Sequence, residues 1–327
     1  MTAKIDLLTL QLFVAIVEEQ SIAKAAERKN IAASAVSRRI SDIEELFQVE
    51  LLHRHSKGIE PTPAGYALLE HARVILGNLA QLETELSGYR QGKRGHIRIC
   101  ANKSAILESL AGELSSFLEQ HPLVRIDLEE NISPAIVQAV VENRADIGIF
   151  GGNIAGQELE VLPYRSDRLV VLVTGNHPLA ARNSVSFRDL IDHDFVSLEK
   201  GSSIESLCMK AAAELGKHLK LRIRVSGFDA LFRLVDAGMG LGVVPLEILR
   251  DRYGLEKFVS IALDESWAQR ELVMGVRDYK SLPPVTRMLV DHLRSAAAEA
   301  AGQQERQAKQ QDQRTLSGRL MMVSDRA

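Results

Sequence analysis

Cysteine is scarce in this chain. Two occur in 327 residues, Cys100 and Cys208, too few for a disulfide framework and without the spacing of a metal site. Two reduced, buried thiols are the expectation, and nothing calls for a metal ion or another cofactor. Long apolar runs are missing too. None approaches the roughly 20 residues that span a bilayer, and no signal-peptide pattern opens the sequence, which points to a cytoplasmic protein with no membrane partner. Positive charge is not in excess: the formal net charge is −3, and residues 1–60 hold eight Lys or Arg against nine Asp or Glu. Attraction to a polyanion therefore has to come from local clustering, which Arg28, Lys29, Arg38, Arg39, Arg54 and Lys57 supply. Catalytic signatures are also absent, since the sequence has no nucleophile elbow, no phosphate-binding lysine loop and no nicotinamide fingerprint. What is present is 46% hydrophobic residues, over a length that accommodates two or three globular domains.

The stretch Ser21 to Phe47, SIAKAAERKNIAASAVSRRISDIEELF, reads as two short helices joined by a tight turn at Lys29-Asn30-Ile31. Ser21 is a good N-cap. Val36, Ile40, Ile43 and Phe47 recur at helical spacing and are expected to face a core, together with Ala25 and Ala26. That leaves Ala33, Ser34, Ser37, Arg38 and Ser41 outward. Short side chains around one arginine let a helix backbone approach base edges in a major groove. A helical hairpin with a solvated polar face is the alternative reading of this segment. A preceding helix over Asp6 to Glu19, with Leu8, Leu12, Ala15 and Ile16 on one side, would complete a trihelical core.

Residues 7–69 resemble the N-terminal DNA-binding domain of LysR-type transcriptional regulators. The resemblance rests on Phe13-Val14-Ala15, Ser21, Ala25-Ala26, Ala35-Val36-Ser37-Arg38, Leu51-Leu52, Arg54 and Thr62-Pro63-Ala64-Gly65, in family order. It departs at Ala32-Ala33-Ser34, where members usually carry Ser-Gln-Pro, so the roles of the capping serine and the base-reading glutamine do not carry over. Leu51 to Pro61 is similar to the wing of a winged helix, which would place Arg54 and Lys57 on phosphates. His53 and His55 alternate in that wing without further ligands, which argues against a metal site.

Thr62-Pro63 opens a long helix. Gly65, Leu68, Ala72, Ile75, Leu79, Leu82, Leu86 and Tyr89 then alternate spacings of three and four, a heptad seam that predicts a paired helix. A single amphipathic helix packed on its own domain is the alternative. Gln91-Gly92-Lys93-Arg94-Gly95 ends it. Beyond lies an alternation of strands (97–101, 124–129, 146–150, 168–173, 221–226, 242–244 and 271–276) with helices (105–120, 134–143, 203–215, 230–237 and 284–300), which predicts a parallel α/β sheet in two lobes with a cleft between them. The glycines of Gly238-Met239-Gly240-Leu241-Gly242 follow a helix, where they make a C-cap and a turn rather than a phosphate loop. This region is similar to the effector-binding domain of the same regulators, itself similar to periplasmic binding proteins. Gln120-His121-Pro122, Ala145-Asp146-Ile147-Gly148-Ile149 and Ala237 to Pro245 carry that resemblance.

The expected architecture is therefore α/β with a mostly helical winged helix-turn-helix head (1–61), a linker coiled-coil dimerisation helix (62–91) and a two-lobed Rossmann-like effector-binding domain (95–300). Its lobes would take residues 95–163 with 266–300, and 164–265; the polar stretch 301–327 reads as a disordered tail. The DNA contacts expected are Ser34, Ser37, Arg38, Ser41, Arg54 and Lys57. Segments that follow strands and open helices favour anions. Asn102, Lys103, Ser104, Ser202 and Ser203 are such positions, and the family adds Phe150 and Gly151, for a small carboxylate-bearing effector with Lys103 as counter-charge. The resemblance implies operator DNA as an interrupted inverted repeat, self-association to a dimer or tetramer, and RNA polymerase as a further partner. Other classes stay open from the residues alone: an α/β two-lobed enzyme or small-molecule-binding protein acting on a small anionic metabolite, or a scaffold held by the coiled coil.

Overall fold

Side-chain caps at Asp6, Ser21 and Thr62 set three of the helix starts in the N-terminal region. The computed structural model describes residues 5–55, 58–90, 95–152, 159–252, 258–300 and 302, and the chain divides into two compact units, residues 1–94 with 141–144 and residues 95–140 with 145–327. In the first, α1 (Leu7–Glu19), α2 (Ile22–Arg28) and α3 (Ala33–Phe47) precede an antiparallel hairpin of β1 (Leu52–His55) and β2 (Gly58–Pro61), then α4 (Pro63–Arg90). Asp6 caps α1. It accepts from Thr9 N at 2.7 Å and Thr9 Oγ1 at 2.6 Å, and from Arg39 at 2.8 Å. These hydrogen bonds, Thr9 first, hold the Asp6 carboxyl down at about 2. Leu12, Phe13 and Ile16 of α1 meet Ala25 and Ala26 of α2 and Val36, Ile40 and Ile43 of α3 in one core. Thr62 caps α4, accepting from Gly65 N at 3.0 Å while donating to Glu50 O at 2.6 Å. A Cβ at Gly65 would lie 2.1 Å from Leu51 O, so only glycine lets α4 pass the start of the hairpin this closely.

The second unit begins with β3 (Gly95–Ala101), followed by α5 (Lys103–Ala105), a π turn over Ile106–Leu110 and α6 (Ala111–Gln120). Next come β4 (Val124–Glu130), α7 (Ser133–Val141), β5 (Ile147–Gly151) and the long β6 (Glu160–Val173). The remaining elements are β7 (Ser184–Val185), α8 (Phe187–Leu190), β8 (Phe195–Leu198), α9 (Ser203–Glu214), β9 (Leu221–Val225), α10 (Phe228–Asp236), β10 (Gly242–Pro245), α11 (Leu246–Arg252), β11 (Val259–Leu263), β12 (Gln269–Val276) and α12 over 284–300. The main sheet runs β4-β3-β5-β12-β6-β11-β7, with β10 also on β6, and β8 pairs β9 separately.

The sheet is mixed rather than parallel throughout. β3 is parallel to β4 and β5, but β12 is antiparallel to β5 and β6, because it returns to the first lobe from the second and enters from the opposite end. β6 is longer than the 168–173 strand read from its apolar half. Its first part pairs β12, and its last residues, Leu169 to Val173, pair β10 and β11 in the second lobe. One strand thus serves two hydrophobic cores. Ile97, Ile99, Phe117, Ile147, Ile149 and Met274 centre the first; Val171, Phe187, Phe195, Phe228, Phe232 and Ile261 centre the second. Gly238, at φ +71, closes α10 with its N–H on Val235 O at 2.9 Å, as expected of a C-cap glycine. Residues 91–94 and 303–327, including most of the polar tail, lie outside the described residues.

Candidate functional site

Two regions concentrate the chemistry, one in each unit. In the first, α2 and α3 form the helix pair. Ser21 Oγ accepts from Lys24 N at 3.4 Å, and Asn30 takes the left-handed conformation, φ +54, that lets the turn reverse. Val36, Ile40 and Ile43 are buried, whereas Ser34, Arg38 and Ser41 are exposed and Ser37 is half-buried on the outer face. Phe47 departs from the expected core stripe: it is 49% exposed, with Leu46 and Val49 also exposed beside it. The helix ends there, with Gln48 left-handed at its C-cap, so no element remains to cover the ring. On the hairpin, Arg54 is exposed, and Lys57 lies outside the described residues.

The basic cluster is thinner than the sequence suggests. Arg28 pairs with Glu18 at 2.7 Å and Glu19 at 3.3 Å, and Arg39 pairs with Asp6, which leaves Arg38 and Arg54 as the exposed arginines of the cluster without an ion pair among the described residues. His55 lies 3.5 Å from Glu60, and no group of three metal-ligating side chains occurs among the described residues. Ala32 occupies the N-cap of α3 in extended conformation, with no side-chain cap bond. Ala32→Ser is therefore expected to stabilise α3 by about 1 kcal/mol, which slows amide exchange in its first turn roughly fivefold. Unchanged exchange would show that these N–H groups are already satisfied.

In the second unit a cavity of about 460 Å³ opens between the two lobes. Asn102, Lys103, Ser104, Ser202 and Ser203 all line it, together with residues the sequence did not single out, notably Glu130, Glu199 and Ser226. Gly151 stands behind Ser203; a Cβ there would lie 3.1 Å from Ser203 Cβ. Phe150 does not reach the cavity. Its ring is buried among Cys100, Ile136 and Val140, because side chains alternate along β5 and this one takes the opposite face. Asn102 caps α5 through Oδ1, which accepts from Ala105 N at 2.9 Å, while Nδ2 has no partner among the described residues, in a residue only 7% exposed. Ser202 caps α9, accepting from Glu205 N at 3.3 Å. Lys103 is not an unengaged counter-charge, since Nζ lies 2.9 Å from Glu130 Oε1 and donates to Ser226 O.

Behind Ser203 sits a buried ionic cluster with no local sequence signal. Arg270 on β12 faces Asp167 on β6 as a cross-strand pair, donating from Nε at 2.6 Å and from Nη2. Its Nη1 donates to Ser203 Oγ at 2.9 Å, and Glu108 of the π turn lies 3.7 Å away. Burial, then the nearby Asp167, pushes the Glu108 carboxyl up to about 9, so it is protonated at neutral pH. Burial likewise pushes the Cys208 thiol up to about 12, which suppresses thiolate chemistry there.

Residues 7–66 match the family described as bacterial regulatory helix-turn-helix protein, lysR family, and residues 90–298 match the LysR substrate binding domain. The chain is 29% identical over 241 residues to the HTH-type transcriptional regulator CysL of Bacillus subtilis (strain 168), covering 74% of this chain and 81% of that protein. It is 24% identical over 294 residues to the RuBisCO operon transcriptional regulator of Allochromatium vinosum, covering 90% and 97%. Among solved structures, full-length BenM aligns at 27% identity with a TM-score of 0.55, covering 91% of this chain and 98% of that one. CbnR shares the fold at 20% identity and a TM-score of 0.64, covering 90% and 99%. No helix among the described residues is long and apolar enough to cross a membrane.

Proposed function

The chain belongs to the LysR family of DNA-binding transcriptional regulators, and from that premise we propose that it is a cytoplasmic, ligand-responsive regulator that binds a small carboxylate in its interlobe cleft. The family is one of regulators rather than enzymes. The observation that carries the ligand-responsive part is Asn102, a residue of the polar cavity between two lobes whose buried Nδ2 donor has no partner among the described residues.

In this reading residues 1–61 are the DNA head, 62–91 the dimerisation helix and 95–300 the effector domain. Ser34, Ser37, Arg38 and Ser41 face the major groove, and Arg54 with Lys57 holds phosphates. The operator is an interrupted inverted repeat bound by a dimer or tetramer. In support, Ile75 and Leu82 of α4 are 44% and 50% exposed on the heptad seam, apolar surface that a second copy of the helix would cover. The side chains of Leu86 and Tyr89 lie outside the described residues. Effector binding shifts the angle between the lobes and thereby the bend imposed on the operator, to a readout by RNA polymerase. A footprint and bend unaltered by a tightly bound effector would contradict that coupling.

The two exposed arginines separate base reading from phosphate holding. Arg38→Ala is expected to weaken specific binding by about 1–3 kcal/mol and to relax discrimination at one base pair, whereas Arg54→Ala lowers affinity for all duplexes and flattens the salt dependence. Fluorescence anisotropy on matched and mismatched duplexes over a salt series measures both. Full discrimination by the Arg38→Ala protein would remove that residue from the base contacts.

A further inference from the structure

Resting on the reading of this cleft as the effector site, we propose that it takes a monocarboxylate whose other polar groups are neutral or cationic, gripped by uncharged donors, with Arg270 as a positioning residue and Lys103 as a clasp between the lobes. The donors come first. Asn102 lines the cavity, nine-tenths buried, with its oxygen already committed to the cap of α5 and its Nδ2 left without a partner among the described residues. Ser203 Oγ accepts from Arg270, and a guanidinium cannot accept a hydrogen bond, so the hydroxyl proton is left for another acceptor. Asp167 fixes the guanidinium from behind through the cross-strand pair, and Gly151 leaves Ser203 no side chain to press against. α9 is 12 residues long and begins at Ser203, so its first-turn N–H groups and dipole add partial positive charge at the same place. Glu205 takes up part of that potential by bonding back to Gly201 N at 3.3 Å. An oxygen acid is the ligand end that satisfies such donors.

The formal charges exclude a second anionic group. Among the described residues Lys103 is the cation of the lining, and its Nζ is engaged by Glu130 in its own lobe and by the Ser226 carbonyl in the other, which makes it a clasp across the cavity. Glu130 and Glu199 then set two carboxylates against that one ammonium. A dicarboxylate or a phosphate dianion would meet repulsion there, whereas a hydroxyl or an ammonium beside the carboxylate would meet acceptors.

Isothermal titration of the full-length protein with lactate, alanine, succinate, inorganic phosphate and lactamide tests this. Lactate or alanine is expected to bind at least roughly tenfold more tightly than succinate and phosphate. Ser203→Ala and Asn102→Ala each weaken that monocarboxylate by roughly tenfold or more, as expected for lost hydrogen bonds to a charged group. Arg270→Lys, which cannot fork to both Asp167 and Ser203, lowers the preference for lactate over lactamide; a merely structural role would lower both equally. If Arg270→Lys does not fold, the same ratio is read in Ser203→Ala. Tighter binding of succinate or phosphate would overturn the ligand class while leaving the cleft as the effector site. Heats that no cleft substitution changes, or no binding of any probe in the millimolar range, would overturn both.

Discussion

Arg270→Met is expected to destabilise the protein by about 3–5 kcal/mol, the usual consequence of leaving one member of a buried ion pair without its partner. Arg270 is 4% exposed and Asp167 3% exposed, and the two stand directly opposite on β12 and β6, where those strands pass from one lobe to the other. Methionine fills the volume but leaves the Asp167 carboxylate buried with no cation, and Ser203 Oγ loses its donor. Adding Asp167→Leu to the same protein should recover most of the loss, because a buried pair replaced by apolar groups is often close to neutral. Trp267, the single tryptophan, sits three residues before Arg270 and edge-on to Phe187 at 5.5 Å, so its fluorescence reports urea unfolding of this region. A loss below about 1 kcal/mol would show that water reaches Asp167 once the arginine is removed.

The second large effect is on the pH dependence of stability. Glu108 is pushed up to about 9 from an ordinary 4.5, facing Asp167 and Arg270 on the crossing strands and Glu247 of α11. Between those two values the folded protein keeps a proton that the unfolded chain has released. The contribution of Glu108 to stability is therefore fully present below 4.5 and is lost as pH rises toward 9, at the steepest by about 1.4 kcal/mol per pH unit for one proton. Glu108→Gln keeps the shape and the donor of the protonated acid and has nothing to release. It is expected to be more stable than the parent near pH 8, by a margin that grows with pH and vanishes near pH 4.5. Urea midpoints from pH 5 to 8.5 test this; parallel curves for the two proteins would mean that Glu108 is ionised in the folded state.

The legible parts of the fold are those written in local patterns. Val36, Ile40 and Ile43 declare the inner face of α3 by spacing alone, and the strand-to-helix junctions at Asn102–Ser104 and Ser202–Ser203 mark where free N–H groups gather, which is why these five residues meet around one cavity. Patterns fail where an element ends or crosses. Phe47 follows the apolar spacing of α3 but lies at its last residue, and the first half of β6, EVLPYRSD, is too polar to announce a strand. Phe150 fails by alternation: its neighbour Gly151 abuts Ser203, and adjacent residues of a strand face opposite ways. Arg270, Asp167 and Glu108 were out of reach for a different reason. Arg270 is 103 residues from Asp167 and 67 from Ser203, and nothing near it in sequence indicates that it is buried. Lys103 is correctly placed yet carries a different role, since a counter-charge three-dimensionally close to Glu130 and Ser226 is invisible from its neighbours in the chain.

The measurement that bears most directly on the account is selection of bound sequences from a random duplex pool by the full-length protein at two salt concentrations. Enrichment of a two-fold symmetric, interrupted site is predicted, with half-sites about one helical turn apart or a multiple of it and with occupancy falling steeply as salt rises. An unenriched pool at both salt concentrations, or no retention of duplex at all, would contradict a head that reads operator DNA through the face of Ser34, Ser37, Arg38 and Ser41.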